Sequence, residues 1–328
     1  MDDTPEAPRG ETSNRRVWIL AGGLLLVLGL VALQRVLAPD VEAIALAQNR
    51  EAMFTRRAAL FAKAGYDETT FERLADPKPG EWLWTYPDGG QTRPEFGAVF
   101  DLQRLRGPKA TVIVFQPLGP LSARAQAALE PIRAFTAAFF QREVRIAPEL
   151  SLPQDCYLSD RGQYDADRIL TWLAPQRPND ALVYAAIADK DLTVTELNFV
   201  FGLGRLGKGL GVYSLVRFQE NADDALYLRR AVGLLDHEIG HGFGFKHCPY
   251  YRCSMNGQNS LTELDQTPKL LGPVCLHKLQ HALGFEVVPR YRALAVACRR
   301  IGLTAEADLA AQRAEHLTQA KQTSWWSR

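Results

Sequence analysis

Between Leu235 and Met255 the chain reads LDHEIGHGFGFKHCPYYRCSM, and no other segment restricts its fold as tightly. His237 and His241 stand four residues apart. A helix, expected here over Ala225 to Phe243, puts both imidazoles on one face and one turn apart, where two nitrogens can reach one ion. Glu238 sits beside the first histidine and can reach a metal-bound water without taking a coordination position. Gly244 lets the helix end and the backbone turn, and His247 returns a third nitrogen to the same ion. Three protein ligands leave a fourth position for water, which marks a catalytic rather than a structural zinc site. The ion brings the pKa of that water toward ~7 and polarises a peptide carbonyl. Glu238 then serves as general acid/base, taking the water's proton and handing it to the leaving amine. A bare H-E-x-x-H arises by chance in amphipathic helices. The extended pattern fixes five positions, three of them histidine, a residue the whole chain uses six times.

Those five positions resemble the metzincin zinc motif, in which a methionine-containing turn lies below the metal. Met255 fits that methionine, as a packing residue and not a ligand. The closer resemblance is to the archaemetzincins, whose motif runs on from the third histidine with a cysteine, four residues, a second cysteine, one residue and the methionine. Here these are His247, Cys248, Cys253 and Met255. Leu197 to Gly204 (LNFVFGLG) resembles the stretch before the active-site helix of that family. The resemblance spans residues 95 to 287. It implies a zinc peptidase acting on peptide or protein substrates, with His237, His241 and His247 on the catalytic metal and Glu238 in the acid/base role. It also implies a second, structural zinc at Cys248, Cys253 and Cys275. Metzincin substrates pair with an exposed edge strand ahead of the active-site helix, and Leu210 to Phe218 is the candidate.

The sequence departs from the family at that second metal. A C-x-x-C pair should open the next helix, but the chain reads Gly272-Pro273-Val274-Cys275, so glycine stands where the third cysteine belongs. Structural zinc takes four closed ligands, and His277 or His281 would complete a Cys3His set. One alternative is a Cys248–Cys253 disulfide, with Cys275 free or paired with Cys298 or Cys156; another is three buried thiols. The chain's five cysteines are an odd number, which fits a thiolate site better than a full set of disulfides.

Strands expected at Ala110 to Phe115, Arg142 to Ala147, Ala181 to Ile187 and Leu210 to Phe218 alternate with helices at Ser122 to Phe140 and Asp165 to Leu173. This pattern predicts an α/β fold, a metzincin-like catalytic domain with a mixed, mostly parallel sheet, an active-site helix and a helical C-terminal part. Ahead of it, Val17 to Leu33 runs without a charge directly after Arg15 and Arg16. The run is long enough, at ~1.5 Å per residue, for the short end of a transmembrane helix. The bias of basic residues predicts a single-pass protein of the cell membrane with an extracytoplasmic body. The expected organisation is a disordered cytoplasmic tail (1–16), a transmembrane anchor (17–37), a helical stalk and linker (38–94), the zinc peptidase domain (95–287) and a C-terminal helical extension (288–328). With 38 basic and 37 acidic residues the net charge is +1, which excludes the long-range field a nucleic-acid partner requires. The competing functional class is a membrane-tethered zinc-binding module without turnover, and Glu238 argues against it, because a purely structural site has no use for that carboxylate.

Overall fold

The computed structural model describes Gln48 and residues 70–86, 88–100, 110–195 and 197–320. Val17 to Leu33, the tail before it and all of the expected stalk helix at Val41 to Ala64 except Gln48 lie outside the described residues. Two short helices, α1 (Trp82–Thr85) and α2 (Arg93–Val99), precede strand β1 (Val112–Leu118). Helix α3 (Ala123–Phe140) leads to β2 (Val144–Ile146), β3 (Tyr157–Leu158), β4 (Gln163–Asp165) and α4 (Ala166–Leu173). Then come β5 (Ala181–Ala188), β6 (Leu192–Thr193), β7 (Gly202–Arg205) and β8 (Leu210–Ser214), followed by the long helix α5 (Asp224–Gly242). Four helices complete the body: α6 (Leu261–Gln266), α7 (Pro273–Leu283), α8 (Val287–Arg300) and α9 (Thr304–Ala320).

The main sheet has the order β2-β1-β5-β8-β7, and its first four strands run parallel. β1 and β5 are buried along their whole length, which is why both read as unbroken apolar runs: a parallel strand covered on both faces has no solvent side to mark with polar residues. Helices α3, α5, α7, α8 and α9 cover one face around the larger core, and α4 covers the other. Side-chain caps start the main helices where the sequence changes character. Ser122 accepts from Ala125 N–H, Asp165 from Asp167 and Arg168 N–H, and Asp223 from Leu226 N–H.

Three expectations are corrected. β8 is not an edge strand, because it pairs with β5 on one side and antiparallel with β7 on the other. The edge is β7, whose four residues GLGR are too short and too glycine-rich for an alternating pattern to show in the sequence. The boundary near residue 95 does not mark where packing begins. Arg73 bridges to Tyr251, Leu74 N–H donates to Tyr250 O at 3.1 Å, and Trp82 N–H donates to the Glu263 carboxylate at 2.8 Å. Finally, among the described residues no helix is long and apolar enough to cross a membrane. That finding overturns the placement as a single-pass membrane protein with an extracytoplasmic body. The long described helices α3 and α5 bury their apolar faces in the protein core instead.

Helix α3 ties both the active-site helix and the C-terminal helix α8 to itself through buried polar groups. Asp236 is 1 % exposed and accepts from the Thr136 hydroxyl of α3 at 2.7 Å. Arg290 of α8 is 0 % exposed, donates from Nε to Phe139 O at 2.7 Å and lies over the Phe139 ring. Burial pushes the Asp236 carboxyl up to about 8, against the pull of Thr136 and the Arg290 charge. Replacing Thr136 by Val removes the donor while keeping the shape. We expect a loss of about 1–3 kcal/mol in unfolding free energy, read by denaturant titration. An unchanged midpoint would show that the Asp236 carboxyl needs no donor.

Candidate active site

Helix α5 carries His237 and His241 on one face, and the chain leaves it through Gly244, whose φ of +95° a side chain would strain. The turn returns His247 to the helix. The His241 and His247 Nε2 atoms lie 3.3 Å apart, and one ring nitrogen from each of the three histidines falls within 4.8 Å of the others. Each remaining Nδ1 has its own partner: Ser254 O at 2.7 Å from His237, Phe245 O at 2.6 Å from His241, and the Asp88 carboxylate at 3.1 Å from His247. A carbonyl oxygen only accepts, so Nδ1 of His237 and of His241 must carry the proton, and the Nε2 lone pair is left for the centre. Burial, with the neighbouring imidazoles adding to it, pushes His237 well below the ordinary histidine range, and burial pushes His241 down to about 4. Both rings are therefore neutral at pH 7. Three convergent imidazoles, each oriented by an outer partner, are a donor set that fits zinc.

The methionine turn supports this group from below. Met255 is 1 % exposed, and its sulfur lies where a side chain on Gly240 would stand, 2.6 Å from the position of a Cβ there. Glycine between the two helical histidines is thus the condition for methionine to pack under them. Glu238 lies on the sheet side of α5. A Cβ on Gly204 of β7 would be 3.2 Å from its carboxylate, so the bare edge strand leaves the carboxylate its room. Glu238 is partly exposed at the mouth, yet the protein around it raises its pKa to about 7.

Asp88 escaped the sequence reading because it lies 159 positions before His247, in a segment read as linker. No local spacing announces such a partner. Burial alone would raise its pKa, but the hydrogen bonds to His247 and Gly90 N–H and the charges of His247 and Lys246 outweigh burial and hold it below the usual carboxylate value. The same segment supplies Gln91, buried, which donates to Gly244 O at 3.2 Å, and Trp82, whose ring meets His247 edge-on at 5.1 Å.

Cys248, Cys253 and Cys275 form a second group, with their three sulfurs within 4.8 Å of one another. All are buried free thiols, as are Cys156 and Cys298 elsewhere, so none of the alternative disulfides is present. Hydrogen bonds from the Cys253 and Cys275 thiols hold Cys248 well below the ordinary thiol value, while burial pushes Cys253 up. The expected fourth ligand is corrected: neither His277 nor His281 joins the group. At 3.6 residues per turn, positions two and six beyond Cys275 point to other sides of α7. His281 instead faces Arg93, Nδ1 to Nη2 at 3.1 Å.

Replacing Asp88 by Ala should lower the zinc affinity of the histidine group by about 10–100-fold, the usual scale for an outer carboxylate partner, with the metal-free chain still folded. Competition against a chromophoric chelator measures it. Wild-type affinity would mean that His247 needs no carboxylate behind it.

A family model described as Peptidase family M54 matches residues 151–281. Human archaemetzincin-2 is 29% identical over 257 residues, covering 66% of this chain and 71% of that protein. The archaemetzincin of Archaeoglobus fulgidus is 34% identical over 142 residues, 43% of this chain and 84% of that protein. The crystal structure of the archaemetzincin from Methanopyrus kandleri matches at 28% identity over 54% of this chain and 97% of that one, with a TM-score of 0.49. The chain belongs to the archaemetzincins, and is therefore a zinc metallopeptidase of peptidase family M54.

Proposed function

We propose that the chain hydrolyses peptide bonds at a zinc ion held by His237, His241 and His247, with Glu238 as general acid/base. The observation that carries this reading is the convergence of three imidazoles, with those of His237 and His241 held neutral, beside a carboxylate whose pKa is raised to about 7. Zinc in that position supplies a Lewis acid that polarises the scissile carbonyl and acidifies the attacking water. The rest of the chemistry belongs to the chain. Ser254 O, Phe245 O and the Asp88 carboxylate hold the three rings, so binding needs little reorganisation. A carboxyl with a pKa near the working pH is suited both to take the proton of the attacking water and to deliver it to the leaving amine. Among the described residues the outer side of β7 has no strand partner in the sheet, and β7 runs past Glu238, so an extended peptide adding there would lay its backbone across the acid/base group. Peptides and proteins are the substrates this geometry favours.

Glu238→Gln should keep about the wild-type zinc content and lower kcat by about 10²–10⁴-fold, the contribution of a positioned acid/base. His241→Ala should lose the catalytic zinc itself. Hydrolysis of an unstructured protein substrate together with metal analysis reads both, and full activity in Glu238→Gln would defeat the mechanism.

A further inference from the structure

Cys248, Cys253 and Cys275 are 2 %, 0 % and 0 % exposed and come from two pieces of chain, the loop after His247 and helix α7. The first follows His247 directly, the second opens the methionine turn, and the third lies in the first turn of α7. A closed zinc site takes four ligands, and among the described residues no histidine, carboxylate or further cysteine joins these three. Gly272, the residue before α7, faces the group. A Cβ there would stand 3.4 Å from Cys253 Cβ and 3.0 Å from Tyr251 Cβ. A side chain at 272 would therefore enter the sulfur cluster. With glycine in place, the loop from Tyr251 to Cys253 packs close to the bare backbone, and the chain offers no fourth donor at this position. The donor set that remains is three soft sulfurs in a dry pocket.

We infer that Cys248, Cys253 and Cys275 form a three-coordinate, all-sulfur site for monovalent copper instead of a four-ligand zinc site. Thiolate sulfur is the preferred donor of this soft ion, which is satisfied by three of them. On binding, three S–H bonds break and three copper–sulfur bonds form. The three protons pass to solvent, and copper stays monovalent, so no oxidant or reductant is consumed. Three thiolates and one positive ion leave two negative charges. Two buried cations answer them: Lys278 acts on Cys275 and Arg290 on Cys253, each 0–1 % exposed. Occupancy would also stiffen the neighbouring centre, because Cys248 N–H donates to Met255 O at 2.7 Å and Met255 N–H lies 3.4 Å from the Cys253 sulfur.

The test uses the full chain, stripped of metal under reductant and titrated without oxygen, in separate samples, with a buffered monovalent copper complex and with zinc. Wild type should retain about one copper per chain through desalting, show the ultraviolet charge-transfer band of copper–thiolate bonding, and melt at a higher temperature. Zinc should reach about one per chain, and His241→Ala should lose that zinc while keeping the copper, which separates failure of the histidine reading from failure of this one. Cys275→Ser should lose the copper. Gly272→Cys, whose backbone φ of −70° suits a side chain and whose insertion asks Tyr251 to yield a few tenths of an ångström, should gain a second zinc. A second zinc held by wild type against a chelator would overturn the inference. So would a wild type that retains no copper, or copper retention unchanged in Cys275→Ser.

Discussion

Two adjacent carbonyls of the methionine turn fix most of what matters in this molecule. Ser254 O receives the Nδ1 proton of His237, and Met255 O receives the N–H of Cys248, the residue that follows His247. One short turn thus holds the first histidine on the helix and the loop that brings back the third. The sulfur of Met255 fills the gap that Gly240 leaves in α5, so the turn cannot slide along the helix. Because His237 and His241 face carbonyls that only accept, the tautomers of these two rings follow from the backbone.

The turn is braced in its place by two further layers. Asn256 spans it, donating from its side-chain amide to Cys248 O at 2.6 Å and Tyr251 O at 2.8 Å, while its own carbonyl receives Cys253 N–H at 2.8 Å. Cys248 and Cys253 sit within this frame and Cys275 reaches it from α7, so the sulfur group and the histidine group share this loop. Outside it, the segment from residue 70 to 94 wraps the same loop and sends Asp88 and Gln91 inward. That segment lies before the residues that the family model matches, and it contributes directly to the third histidine.

Behind α5 the protein accepts buried ionisable groups. Arg290 and Asp236 come from the C-terminal helices and the active-site helix, and both are almost wholly enclosed. Burying charged groups costs free energy unless hydrogen bonds or opposite charges offset it. Thr136 and Phe139 O supply part of that offset. The arrangement ties the helical extension and the catalytic helix to the same helix α3, so the extension is part of the same body.

The sequence by itself determined the parts that depend on local spacing. A four-residue interval puts His237 and His241 on one helical face whatever the rest of the chain does, and unbroken apolar runs at β1 and β5 mean strands covered on both sides. The short list of candidate ligands, the glycine at 272 and the parallel sheet follow from the same kind of local rule. What only the tertiary structure decided involves residues far apart in sequence or too few to leave a pattern. Asp88 finds His247 across 159 positions, the true edge strand is four residues long, and His277 and His281 turn away from the thiols because the rotation of α7 is set by its packing. An apolar run fixes only that a segment avoids water, and the described body satisfies its own apolar helices within its core. Periodicity is a property of neighbours along the chain. Partnership across the fold depends on how whole elements dock, and no local interval carries that information.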